Sequence, residues 1–331
     1  MKKEYIGIDL GSENTTIYSS IHGQTIYSEP TAIAMDKYKK EVNETGFLAH
    51  QIAGKTPYNY EVIYPVRNGA IDDDDACYLY LSTVLKSLGL DNRRKMPAFV
   101  FAVPSNCSKV NRKVLIDIAT RLGAKEIYIE PQARLAALGA GKNVFAPTAT
   151  LICHIGSGIT DIACLSLGEI VANGSTYIAG DSFNEAIRRY MVQNQHLAIG
   201  IKSAETLKMK IGSLSVIPEN RLAEIKGRDT ITSLPTSNVI SSGEIRSCLL
   251  PLANIIGLKI TDVITSLPPE LVSDLTKNGM FLSGGGSLIA GAKDYFQHLL
   301  SIPVKMVENP LEIINEGFKA YEKVLEKRRN S

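Results

Sequence analysis

Asp9-Leu10-Gly11-Ser12-Glu13-Asn14-Thr15 is the stretch whose reading decides the fold. It follows the apolar, β-branched run 5–8 and leads into a second such run, the pattern of a β-hairpin. Glycine at such a turn lets the backbone approach a ligand, and consecutive N–H groups make a nest suited to phosphates. Ile155-Gly156-Ser157-Gly158-Ile159-Thr160-Asp161 repeats the arrangement after the apolar run 150–152. Leu282-Ser283-Gly284-Gly285-Gly286-Ser287 then precedes a helix-like stretch, as a glycine turn meeting a base or ribose would. One glycine turn between strands is usually just a turn. Three in this order predict two related domains closing on one nucleotide.

The chain has 331 residues, enough for two domains with substantial cores. Apolar residues make up 44% and charged residues 21%, with mean hydropathy near zero, the balance of a soluble globular protein. A net charge of +2 argues neither for nor against a polyanionic partner, and no nucleic-acid partner is expected. No apolar run reaches the roughly 18–20 residues of a membrane span. Met1-Lys2-Lys3-Glu4 runs straight into a strand, so no signal peptide is expected. Cys77, Cys107, Cys153, Cys164 and Cys248 form no C-x-x-C pair, which fits reduced thiols in a cytoplasm.

Strands are expected at 5–10, 15–20 and 25–35, followed by a polar excursion over 36–62. Apolar spacing predicts a helix over 72–88, whose acidic first turn suits the helix dipole. A buried strand follows at 97–103, then helices at 111–122 and 131–141. A second strand meander begins at Thr150. Beyond it come helices at 182–195 and 203–211, turn-rich strands over 212–243 and a long helix over 243–266. Helix 288–300, strand 304–307 and helix 311–328 close the chain. This order of strands and helices, given twice, is that of duplicated α/β units.

Further stretches carry a family resemblance: Tyr64-Pro65-Val66-Arg67-Asn68-Gly69-Ala70-Ile71, Val103-Pro104-Ser105, Gly180-Asp181-Ser182-Phe183-Asn184-Glu185-Ala186-Ile187, Ala204-Glu205-Thr206-Leu207-Lys208 and Pro268-Pro269-Glu270-Leu271. Together with the three glycine segments, and in this order, they resemble the MreB bacterial actins of the actin and heat-shock-chaperone ATPase superfamily over almost the whole chain. The resemblance implies an α/β, actin-like two-lobed ATPase fold of duplicated RNase-H-like domains with a nucleotide cleft. Its subdomains would be IA (1–33, 66–145 and 315–331), IB (34–65), IIA (146–181 and 246–314) and IIB (182–245). The implied cofactors are ATP or ADP with Mg2+. Gly11, Ser12, Glu13 and Asn14 would face the β- and γ-phosphates, and Asp9 would hold the waters of the metal, which rarely sheds them. Gly156, Ser157 and Gly158 would form the opposing hairpin, with Gly180 and Asp181 near the ribose. Glu205 and Lys208, at i and i+3, would present one helix face to the adenosine. Gly284, Gly285 and Gly286 would let the backbone pass beside the nucleoside.

Three positions depart from the family pattern, and all three belong to hydrolysis. His154 stands where the second phosphate loop normally has aspartate. An imidazole gives a hydrated cation no negative charge, and nearby phosphates would favour its protonated form. Gln132 stands where MreB has the glutamate that orients the lytic water, and glutamine is a weaker base. A shifted register would put Glu130 there instead. Ile159 replaces a threonine whose hydroxyl could relay a proton. The expectation is an intact nucleotide cradle with at most slow, Mg-dependent ATPase activity.

The resemblance also implies a cytoplasmic, cytoskeletal protein that polymerises into filaments of paired protofilaments governing cell shape or motility. Sibling MreB paralogues would be further partners, as in wall-less helical bacteria. Arg93, Arg94 and Lys95, with Lys327, Arg328 and Arg329, offer basic clusters for an anionic surface at the inner face of the membrane. The alternatives are a non-polymerising, nucleotide-sensing regulator of sibling filaments and a small-molecule kinase of the same superfamily. A heat-shock-type chaperone fits poorly, because no peptide-binding domain is expected within 331 residues.

Overall fold

The computed structural model describes residues 4–91, 96–216 and 221–330, with side chains described as far as 325. Arg93, Arg94 and Lys95 lie outside the described residues, as do the side chains of Lys327, Arg328 and Arg329. The chain divides into two units: Met1–Asn143 with Glu312–Ser331, and Val144–Leu311.

The first unit is built on a five-stranded sheet in the order Ile127–Pro131, Ala98–Val103, Tyr5–Leu10, Asn14–Ser19, Gln24–Pro30. The first three strands run parallel and the last two return antiparallel. Ala98–Val103 is buried at every position, as an unbroken apolar run in a sheet covered on both faces should be. The second unit repeats this plan. Its order is Val304–Met306, Met280–Ser283, Thr150–Ile155, Thr160–Ser166, Glu169–Thr176, again parallel for three and antiparallel for two. The repetition extends to single residues. Asp9 pairs with Thr16 and His154 with Asp161 across their hairpins. Gly11 N–H donates to the Asn14 carbonyl at 3.1 Å, and Gly156 N–H to the Ile159 carbonyl at 3.0 Å. Asp9 and His154 therefore hold the same place in the two copies, two residues before the turn glycine.

Helices cover these sheets where the sequence supplies caps. Asp73 accepts from Ala76 N–H at 2.8 Å, so the helix expected over 72–88 spans Asp74–Ser87, with Asp73 as its cap rather than part of its first turn. Ser108 caps Lys109–Leu122, which ends on Gly123 at φ 94°. In the first unit the helix Gln132–Gly139 packs against Ile313–Asn330 at backbone contact. A Cβ on Gly317 would stand 2.2 Å from the Leu135 carbonyl oxygen, and one on Gly139 2.3 Å from that of Ile313. A buried polar cluster ties the same helices together. Tyr321 donates to Glu130 Oε1 at 2.6 Å, and Arg134 Nη1 to Glu130 Oε2 at 3.1 Å.

Two sequence expectations change here. The strand expected over 25–35 breaks at Thr31-Ala32 into Gln24–Pro30 and Ile33–Asp36, which belong to different sheets. The excursion 36–62 contains a strand, Val42–Thr45, a short helix, Gly46–Ile52, and a strand, Tyr60–Ile63, forming a sheet with Ile33–Asp36. Both roots of this insertion are bonded to the first glycine turn. Thr31 donates its N–H to the Glu13 carbonyl at 2.8 Å and its hydroxyl to that of Gly11 at 2.7 Å. Gly69 N–H donates to Ser12 Oγ at 3.0 Å.

In the second unit the helix Ser242–Thr265 corrects the expectation about spans, because by length and composition alone it could cross a membrane. One face packs in the core through Ile245, Leu249, Ala253, Ile256, Ile260 and Val263, while Ile255 and Leu258 are exposed. A second sheet of Leu197–Ala198, Leu222–Asp229 and Pro235–Ser241 completes the unit.

Candidate functional site

In the first unit the candidate residues gather at the end of Tyr5–Leu10. Asp9 ends up beside Gln132, because the neighbouring parallel strands carry the chain round to the helix that Gln132 begins. Gln132 Nε2 donates to Asp9 Oδ1 at 2.9 Å, and Gln132 Oε1 is buried with no hydrogen-bond partner among the described residues. Glu130, the alternative to Gln132, is committed to Arg134 and Tyr321. Burial pushes the Asp9 carboxyl up to about 6, against the lowering effect of Gln132. In the turn, Ser12 is bonded to Gly69, while Glu13 and Asn14 are exposed.

Asp9 also yields a prediction. Its folded pKa, about 6, lies above the ordinary 3.8, so ionising it costs stability. The cost is absent below the unfolded pKa, grows as pH rises towards 6 and is constant above. In nucleotide-free protein, Asp9→Asn should therefore stabilise at pH 7 by on the order of 2–3 kcal/mol. The gain should vanish near pH 4. Urea unfolding at the two pH values measures it, and equal midpoints at pH 7 would refute it.

In the second unit the remaining candidates form one connected group. Gly180 N–H donates to the Gly156 carbonyl at 3.0 Å and Asp181 N–H to that of Ser157 at 2.8 Å, seating the helix Gly180–Gln195 on the hairpin turn. Lys208 Nζ donates to the Gly180 carbonyl at 3.2 Å. Partial burial raises the Asp181 carboxyl, with Lys208 opposing and Glu205 adding to the rise, which places all three within electrostatic reach. Gly284, at φ 81°, crosses close to the hairpin: a Cβ there would stand 2.3 Å from the Ile155 carbonyl oxygen. Gly285 is exposed, whereas Gly286 is buried against Ile155. Ile159 is buried, and the neighbouring Thr160 hydroxyl is spent on the Ile178 carbonyl at 2.7 Å.

His154 is buried at the end of its strand. In the nucleotide-free protein burial pushes its pKa down to about 4, the direction opposite to that in which nearby phosphates would act. Its Nδ1 lies 3.1 Å from Ser283 Oγ. Ser283, Thr31 and Asn315, which accepts from the Thr16 hydroxyl at 2.9 Å, are contacts that no local pattern announces.

A profile of the MreB/Mbl protein family matches residues 3–330. The chain belongs to the MreB/Mbl family. The cell shape-determining protein Mbl of Bacillus subtilis is 33% identical over 314 residues, 94% of this chain and 93% of its own. MreB5 of Spiroplasma citri bound to ADP matches with TM-score 0.93 at 33% identity, over 99% of each chain. The AMPPNP-bound form matches with TM-score 0.93 at 34% identity, over 100% of this chain and 99% of its own. The fold is thus the actin-like α/β fold of MreB proteins, as the resemblance implied.

Oxygen donors on the first unit suit a hydrated Mg2+. Asp9 is a carboxylate of the kind that ion takes, and the unpartnered Gln132 Oε1 can accept from its waters. Among the described residues no group of three or more His, Cys, Asp or Glu could hold a metal ion. His154, a nitrogen donor in the equivalent place, does not fit that preference.

Proposed function

We propose that this MreB/Mbl-family chain is a cytoskeletal protein of the cytoplasm that binds ATP or ADP, polymerises into paired protofilaments and hydrolyses ATP slowly. The observation that carries nucleotide binding is the duplicated glycine turn, closed by the same main-chain bond at Gly11 and Gly156. It is supported by the nucleotides in the matched Spiroplasma citri structures. In this reading Gly11 to Asn14 and Gly156 to Gly158 bind phosphates through backbone N–H groups. Gly180 and Asp181 take the ribose. Glu205 and Lys208 hold the adenosine, and Gly284 to Gly286 run beside it. Asp9 orders the waters of Mg2+, which would supply charge neutralisation at the phosphates.

Weak hydrolysis follows from the chemistry of three side chains. Gln132 can orient a water but accepts no proton at neutral pH. His154 contributes no negative charge. Ile159 has no hydroxyl to relay a proton. The small subdomains are 34–65 and 182–245 in the same reading, and membrane contact would rest on basic side chains that weaken with salt.

The test is sedimentation with ATP, with ADP and without nucleotide, for wild type and Lys208→Ala. Wild type should pellet with nucleotide, and Lys208→Ala should need about tenfold more of it, the loss of one charge-assisted bond. A wild type that binds nucleotide yet never pellets would favour the regulator of sibling filaments. Phosphate transfer to an added sugar would favour the kinase.

A further inference from the structure

Gln132 begins its helix without a side-chain cap, because Pro131 before it has no polar side chain to offer. The corner is fixed instead by the residues two before and two after Gln132. Glu130, on the strand Ile127–Pro131, accepts from Arg134 Nη1 at 3.1 Å and from the Tyr321 hydroxyl at 2.6 Å, one bond to each carboxylate oxygen. Arg134 lies in the first turn of the helix and Tyr321 on Ile313–Asn330, so one carboxylate joins the strand to both helices. All three side chains are buried. The sheet puts this cluster in line with Asp9. Glu130 is opposite Ala102, and Ala102 opposite Asp9, across three parallel strands. Register partners face the same side of a sheet, so the corner bearing Gln132 is tied to one row at two points, through Glu130 and through the bond from Gln132 to Asp9. A buried ion pair adds little net stability over apolar residues of the same volume, but its hydrogen bonds hold only in one direction.

We infer that Glu130, Arg134 and Tyr321 are positioning residues that hold Gln132 on the lytic water, so that turnover depends on a hydroxyl from the helix Ile313–Asn330. The inference rests on the slow hydrolysis proposed above. None of the three acts on the water itself, since Glu130 spends both carboxylate oxygens within the cluster. A misplacement of about 1 Å, caused by a change remote from the reacting atoms, costs up to about a hundredfold in rate. The glycine turns at Gly11 and Gly156 are closed by their own main-chain bonds, so nucleotide affinity is spared.

The experiment measures phosphate release at saturating ATP, AMPPNP affinity by titration calorimetry and Tm, all on the full chain. The variants are Tyr321→Phe, Tyr5→Phe and the all-apolar combination of Glu130→Met, Arg134→Met and Tyr321→Phe. Tyr5 is the control: its hydroxyl donates to the Phe318 carbonyl on the same helix, but it stands at the far end of the strand from Asp9. Tyr321→Phe should release phosphate about tenfold more slowly than wild type, with AMPPNP affinity unchanged. Tyr5→Phe should lower Tm and leave the rate as in wild type. The all-apolar combination should fold and bind AMPPNP as wild type does, yet be at least as slow as Tyr321→Phe. A wild-type rate in Tyr321→Phe, or an equal slowing in Tyr5→Phe, overturns the inference and leaves slow hydrolysis standing. A wild type that binds AMPPNP but releases no phosphate from ATP overturns the hydrolysis reading, and this inference with it.

Discussion

Gln132→Glu, His154→Asp and Ile159→Thr together are expected to raise phosphate release in Mg2+ by about a hundredfold or more over wild type. Each change restores a function that the wild-type side chain lacks. Glutamate at 132 could accept the proton of a water that glutamine only orients. Its backbone position already brings the side chain to Asp9, but glutamate loses the Nε2 donation and must turn its charge away from that carboxylate. Aspartate at 154 would replace an imidazole with a negative charge. Threonine at 159 would add a hydroxyl in a place where the Thr160 hydroxyl is already spent. Groups that act as one unit do not add, so the single variants should fall well short of the triple variant. Phosphate release by a coupled assay is the measurement. A triple variant no faster than wild type would sink the account of slow hydrolysis.

Gly317→Val is expected to lower stability by about 3 kcal/mol or more, a fall in Tm of roughly 4 °C or more for a chain of this length. The first carbon of any side chain there would stand 2.2 Å from the Leu135 carbonyl oxygen, 2.6 Å from its carbon and 2.9 Å from its Cα. These are backbone atoms of a helix and have no rotamer into which to retreat. The helix Gln132–Gly139 must instead move away from Ile313–Asn330, taking Gln132 with it. Nucleotide affinity should therefore fall along with Tm. Lys319→Ala, on the exposed side of the same helix, should stay within about 0.5 kcal/mol. Thermal unfolding of both variants decides the matter, and a Gly317→Val protein as stable as wild type would mean that the two helices are not locked at this crossing.

The hairpins were legible because each sits between alternating β-branched runs with glycine at the turn, a signal contained in seven residues. The family was legible from the order of such segments. Its lineage was not: the identities to the Spiroplasma citri structure and to the Bacillus subtilis protein are both 33%. The helix Gly46–Ile52 escaped notice because seven residues hold too little periodicity. It is fixed from outside, by Glu29 Oε2 accepting the Phe47 N–H at 3.0 Å. The segment Pro268-Pro269-Glu270-Leu271 opens the helix Pro269–Asn278, whose proline at the first position is the local mark of a start. The pairing of Gln132 with Asp9 joins residues from separate strands and follows from topology alone. The burial of His154, which lowers its pKa in the nucleotide-free protein, cannot be read from residue type alone.

The bonds from Thr31 and Gly69 to the first glycine turn have a mechanical meaning. The insertion between them is anchored like a lever on two bolts, and both bolts are driven into the same few residues. A force that swings the insertion must strain that turn, and a turn stiffened by whatever it grips must resist the swing. Ser12→Ala would draw only the Gly69 bolt, leaving the lever hanging from Thr31 by main-chain and hydroxyl bonds that no substitution at Ser12 removes.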